Sequence, residues 1–181
     1  MKDKLLEQAK REYSPQKRLV ALLILAPIFL ILLPYLLITL GSKLDQWMQW
    51  SAILGEPVNL ALGWLLIVTG WLLGMWSNIV QFDIGRGTPV PLMATQKLIV
   101  QPPYTYCRNP MALGAILMYL GVAILFSSLG AILLVGLGAV SLLVYIKILE
   151  EKEMELRFGQ EYLEYKERTP FLIPRFRKRN F

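Results

Sequence analysis

The residues of this chain best suited to chemistry fall in two short clusters, Tyr104, Arg108 and Asn109 in one and the adjacent carboxylates Glu150 and Glu151 in the other. An arginine offers a fork of donors, an asparagine both donates and accepts, and a carboxylate pair attracts cations. Brought together, they can grip a small charged molecule. Lys147 is the only charged residue between positions 110 and 149, so the clusters stand at the two open ends of one apolar helical hairpin that turns at Ser127-Ser128. A polar cofactor held at that mouth, at a membrane surface, would meet an apolar substrate arriving sideways from the bilayer.

Other chemistries are excluded by composition. Histidine is absent and Cys107 is the only cysteine, so there is no imidazole base, no intrachain disulfide and no cysteine-cluster metal site. Proton transfer falls to carboxylates, tyrosines, lysines or water. Cys107 reads as a packing residue, since nothing basic is placed to activate it. Asn109 and Pro110 also suit a helix start, Asn as the cap and Pro at the first helical position. Glu150 and Glu151 also complement the positive end of a following surface helix. Adjacent helical residues face different directions, so Glu150 is expected to face Arg108 across the hairpin and Glu151 to lie behind it or at the surface. Arg108 and Glu151 are the candidate catalytic residues: Arg108 holds a carboxylate of cofactor or substrate, salt-bridges Glu150 or binds a lipid phosphate, and Glu151 takes a proton if the acceptor is an amine.

The elements that must position these groups follow from length and charge. The chain has 181 residues, is 55% hydrophobic and carries a net charge of +6, with its charges confined to the ends and two loops. That is the pattern of a single polytopic membrane domain. Runs at 19–40, 58–80, 110–126 and 129–149 approach the roughly 20 helical residues that span a hydrocarbon core. The expected fold is all-α, with four transmembrane helices, a long cytoplasmic loop and a C-terminal amphipathic surface helix. The first run outlasts a signal-peptide core and lacks a small-x-small cleavage pattern, so it reads as a retained span. Pro27 and Pro34 fall on nearly one face of it and favour a bend. Lysines and arginines gather in the lead at 1–18, in the loop at 81–109 and after the fourth span, while the first loop holds only Lys43. By the positive-inside rule both termini and the long loop are cytoplasmic.

Glycines at 63, 70 and 74 permit close helix approach, and those at 114 and 121 and at 130, 136 and 138 let the hairpin's helices approach closely or leave room for a ligand. Gly85-Arg86-Gly87-Thr88-Pro89-Val90-Pro91 and Pro102-Pro103 break the loop, which folds back through Leu98-Ile99-Val100. Met154, Phe158, Tyr162 and Tyr165 form an apolar stripe on an otherwise charged surface helix. The tail at 170–181 ends in Arg175, Arg177, Lys178 and Arg179, a patch suited to anionic headgroups rather than nucleic acid.

Several segments carry a combined pattern: Lys97-Leu98-Ile99-Val100, Pro103-Tyr104, Arg108-Asn109-Pro110-Met111-Ala112-Leu113-Gly114, Glu150-Glu151, Phe158-Gly159-Gln160-Glu161-Tyr162-Leu163-Glu164-Tyr165 and Ile173-Pro174. In order and spacing this resembles the membrane methyltransferases related to isoprenylcysteine carboxyl methyltransferase and the phospholipid N-methyltransferases, across roughly the C-terminal half. The resemblance implies S-adenosylmethionine as methyl donor. Gln96, Lys97, Leu98 and Ile99 would form a wall of its site, Tyr104 would pack on it, Asn109, Pro110, Met111 and Ala112 would line it, and Glu150 would receive its ammonium. Asn109 stands where the family has His, Ala112 where it has a second Tyr, and Pro102 where it has Gly. The substrate would be a lipophilic acceptor, a phospholipid amine or a prenyl or lipid carboxylate or thiol, in a prokaryotic inner or plasma membrane. A nicotinamide-dependent lipid or sterol reductase of similar architecture and a non-catalytic lipid-binding protein are the alternatives.

Overall fold

A computed structural model describes residues 13–85 and 95–175. The first twelve residues of the lead, the loop segment 86–94 with Arg86, Gly87, Thr88, Pro89, Val90 and Pro91, and the tail residues Arg177, Lys178 and Arg179 lie outside the described residues. Among those described, all regular structure is helical: α1 (Pro15–Met48), α2 (Val58–Asp83), α3 (Pro110–Leu125), α4 (Leu129–Phe158) and α5 (Gln160–Arg168). A chain whose backbone donors and acceptors have no water to bond must satisfy them within the segment, which a helix does.

Helices α1, α2 and α4 are long and apolar enough to cross a membrane, whereas α3 has 16 residues. At 1.5 Å per residue α3 reaches about 24 Å, short of the roughly 30 Å hydrocarbon core. None of the most apolar window of α1 is buried inside the protein. Leu23, Ile31, Leu65 and Val140 are each more than half exposed, a surface that only lipid can solvate favourably. This is a membrane protein.

The described residues divide into two compact units, one comprising 13–21, 73–85, 95–113 and 145–175 and the other 22–72 and 114–144. In the second unit the glycines set the helix packing. A Cβ built on Gly70 of α2 would stand 2.5 Å from the Gly114 carbonyl oxygen of α3, and one on Gly121 of α3 would stand 2.7 Å from that of Gly63. Gly41 of α1 meets Ala131 of α4 in the same way, at 2.7 Å. Close contact is not made at Gly74, which has nothing within 4 Å, and Gly136 and Gly138 border open space instead. Backbone cannot yield as a side chain can, so Gly70→Val should destabilise the protein by about 1–3 kcal/mol, the usual range for overpacking, and Gly74→Ala should not. Thermal unfolding of both variants in detergent checks this, and equal midpoints would contradict the packing.

Asp45 of α1 caps α4 from another helix: its carboxylate accepts from the Gly130 N–H at 2.6 Å and from the Ser128 hydroxyl at 2.5 Å. A carboxylate at a helix N-terminus meets both its orphan donors and its dipole. The prolines of α1 produce a π-helical turn at Ile28–Leu32. Within it the Leu33 N–H turns to the Ile28 carbonyl, and Pro34, the next residue, has no N–H to offer Phe29. The Tyr119 hydroxyl of α3 supplies that missing donor, at 2.8 Å from the Phe29 oxygen.

In the first unit α4 does not stop near 149. It runs on through a second π-helical turn, Ile146–Glu150, to Phe158, where Gly159 with φ 54° breaks it before α5. The expected stripe is therefore split between two helices: Tyr162 and Tyr165 are buried on α5, while Met154 and Phe158 are half-buried on α4. A positive φ favours glycine, so the break is encoded at Gly159, directly after Phe158 of the stripe.

Candidate functional site

The segment before α3 is tightly wound. Two turns close it, Tyr104 N–H to the Gln101 carbonyl at 2.8 Å and Tyr106 N–H to that of Pro103 at 3.0 Å. Pro103, Cys107 and Pro110 are fully buried beneath it. Burial pushes the Cys107 thiol up from its usual value, which suits a packing residue. Arg108 emerges from this base, and its side chain is only 8% exposed.

Arg108 does not face Glu150, contrary to the sequence expectation. It donates to Glu151 Oε1 at 2.6 Å, and Glu151, 4% exposed, also holds Lys166 at 2.9 Å and Lys147 at 3.2 Å from Oε2. The π-helical turn accounts for the change of partner. One inserted residue rotates everything after it by about 100°, a single α-helical step, enough to decide which of two neighbouring carboxylates turns inward. Arg108 is further occupied by carbonyls at the end of α5, those of Lys166 at 2.7 Å and Thr169 at 2.8 Å. A guanidinium so engaged caps the orphan carbonyls of α5 and serves the fold rather than a ligand's carboxylate. The same holds for Glu151: with three cations on it, it is poorly placed to accept a proton.

Asn109 is likewise occupied on its donor side, its amide Nδ2 bonding the Phe171 carbonyl at 2.9 Å. Together with Arg108 N–H to Pro170 at 2.9 Å and Arg175 N–H to Tyr106 at 3.1 Å, this straps residues 170–175 against the loop. Phe171 packs under two cations, 5.6 Å from the Arg108 guanidinium and 5.2 Å from the Lys147 ammonium, a favourable placement over a ring face. The described part of the tail is thus tied to the loop through its backbone, while Arg175 itself is exposed.

The proposed wall lies in the same unit. The Gln96 N–H bonds the Gly85 carbonyl at 2.6 Å, Ile99 is buried against Gly85, and Leu98 is half-buried, while Lys97 is exposed. Arg157 of α4 bonds the Thr95 carbonyl beside them. Met111 and Ala112 are half-buried in the first turn of α3. Tyr104 accepts a hydrogen bond from the Tyr165 hydroxyl at 2.7 Å on its carbonyl. Burial holds the hydroxyls of Tyr104 and Tyr165 well above the usual phenol range and pushes Tyr162 up to about 12, with Glu151 adding to the last. None of these three tyrosines has an accessible phenolate at neutral pH.

Glu150 remains. It is half-buried, and among the described residues no hydrogen bond or ion pair satisfies it. Its charge adds to the effect of burial on the Tyr104 hydroxyl. A partly buried carboxylate without a partner is costly, and a cationic ligand would offset that cost. The arrangement can therefore bind and orient a cation beside an apolar surface but holds little acid–base equipment. Among the described residues no group of carboxylates and cysteine could hold a metal ion.

Sequence reasoning missed Lys147, Lys166 and Phe171. One signal was available: Lys147 lies four residues before Glu151, on the same helix face, whereas the residue four before Glu150 is Ile146. The family described as phospholipid methyltransferase matches residues 58–161, more than half of the chain, from the start of α2 into α5. No curated protein matches the chain.

Proposed function

Since the chain belongs to the phospholipid methyltransferase family, a family of membrane methyltransferases, we propose that it uses S-adenosylmethionine to methylate a lipophilic acceptor at the cytoplasmic membrane face. The observation that carries this reading is Glu150, a half-buried carboxylate that has no cation within the described protein. It fits the positively charged end of such a donor. Gln96, Lys97, Leu98 and Ile99 on one side, Tyr104 on another, and Asn109, Pro110, Met111 and Ala112 at the start of α3 would enclose the rest. When bound, the donor supplies an electrophilic methyl group on sulfur.

Methyl transfer from a sulfonium is an in-line displacement that disperses charge, so alignment and exclusion of water can supply most of the acceleration, about 7–11 kcal/mol in favourable cases. Arg108 and Glu151 act here as positioning residues, fixing the loop and α5 around the cofactor. With the tyrosines locked as phenols and Glu151 ion-paired, the reading favours an acceptor already ionised or soft, or one whose proton leaves to water. A phospholipid amine, a lipid carboxylate and a lipid thiol are the acceptor classes. The distribution of Lys and Arg supports four crossings with both termini cytoplasmic, the short α3 being accommodated by local thinning of the bilayer.

Incubating the purified protein with methyl-labelled S-adenosylmethionine and total membrane lipid extract should place label in one lipid fraction. Absence of label from every fraction, together with absence of donor binding, would reject the proposal.

A further inference from the structure

Along α5 runs an open groove of about 590 Å³ lined by Arg108, Lys147, Gln160, Leu163, Lys166 and Glu167. Half of its lining is cationic. The carboxylate that all three cations share, Glu151, is buried, so a single negative charge is divided among Arg108, Lys166 and Lys147. Glu155 takes a further share of Lys166, at 2.7 Å, and Glu167 is exposed. Lys147 is the cation in surplus: it is 55% exposed, and its one ion pair among the described residues is the longest of the three to Glu151.

The place of Lys147 in the chain indicates which anion it meets. It follows directly on the apolar run of α4, and Ile148 and Leu149 beside it are both more than half exposed. Leu163 inside the groove and Ile173 beyond it are exposed as well. An ammonium at the end of an apolar helix, flanked by exposed aliphatic side chains, lies at headgroup level, where anionic lipids concentrate.

We infer that this groove docks the phosphate of an anionic membrane lipid, Lys147 and Lys166 donating to its oxygens, Gln160 adding an amide donor and Leu163 meeting the root of the acyl chains. Inorganic phosphate finds the same donors but makes no use of the apolar rim, which commits the groove to a lipid. The site uses Lys147, Gln160 and Leu163, none of which enters the reading of Glu150.

The test is native mass spectrometry of the full-length protein in detergent with no methyl donor present, so that its failure is separable from failure of the methyl-transfer reading. Phosphatidylglycerol should be retained in preference to phosphatidylcholine. Lys147→Gln should weaken that retention about five-fold, the effect of one basic residue near an anionic surface, and Lys147→Arg should preserve it. Leu163→Ser leaves every ion pair intact and should also weaken retention, which keeps the proposal testable if Lys147→Gln fails to fold. Equal retention of the two lipids, retention unchanged in both Lys147→Gln and Leu163→Ser, or displacement of phosphatidylglycerol by an equal concentration of inorganic phosphate would each overturn the inference.

Discussion

Glu150→Gln should raise the dissociation constant of S-adenosylmethionine roughly 100-fold and leave the fold intact. The amide matches the carboxylate in shape but carries no charge, so the change removes the attraction for a cationic ligand and little else. Truncating one partner of a desolvated charge pair costs about 2–5 kcal/mol, and 2.8 kcal/mol corresponds to about 100-fold. Thermal stability should hold or rise slightly, because no cation in the described protein depends on Glu150 and a neutral amide is cheaper to bury than a lone carboxylate. Calorimetric titration with S-adenosylmethionine, paired with a melting curve in detergent, measures both quantities. An unchanged dissociation constant would remove Glu150 from the cofactor site.

One residue along, the outcome reverses. Glu151→Gln should cost about 3–5 kcal/mol of stability, the range for breaking a buried ion pair from one side. The variant leaves the Arg108 guanidinium, 8% exposed, and the Lys166 ammonium without their shared carboxylate. It also loosens the ties from Arg108 to the end of α5, through which the loop is held. Replacing both partners by apolar residues, Arg108→Met with Glu151→Leu, should recover much of the loss, since a buried pair gains little over packed hydrocarbon. A double-mutant cycle read by thermal unfolding isolates the coupling. If Glu151→Gln melts like the parent protein while Glu150→Gln collapses, the division of labour between the two acids has been assigned the wrong way round.

Much of the fold was legible because the physical rule behind it is local. Uncharged apolar runs become helices in lipid wherever they fall, so α2 and α3 begin at the residues where their runs begin, and Pro110 takes the first position of α3 as its residue type favours. The turn at Ser127-Ser128 is also where expected, with Ser127 at φ 49° and its hydroxyl bonded to the Leu54 carbonyl at 2.7 Å. Helix ends governed by backbone register were not legible: α4 continues nine residues beyond the expected stop at 149, to Phe158. Which glycines would be used was equally hidden, since Gly70 and Gly74 have the same local sequence character and only one meets a neighbouring helix.

The candidate site divides along the same line. Residue types alone established that Arg108, Asn109 and two carboxylates stand at the ends of one apolar hairpin, that the chain has no imidazole, and that carboxylates, phenols, lysines or water are left for proton transfer. Which acid faces the arginine depended on a π-helical turn at Ile146–Glu150, and which groups remain open to a ligand depended on a strap of residues 170–175 returning from more than sixty positions away. Pairing of charges is a contest among all partners in reach, and reach is a property of the folded chain: an alternation of neighbouring residues can say that Glu150 and Glu151 point apart, but only the packed helices say which of them finds three cations and which finds none.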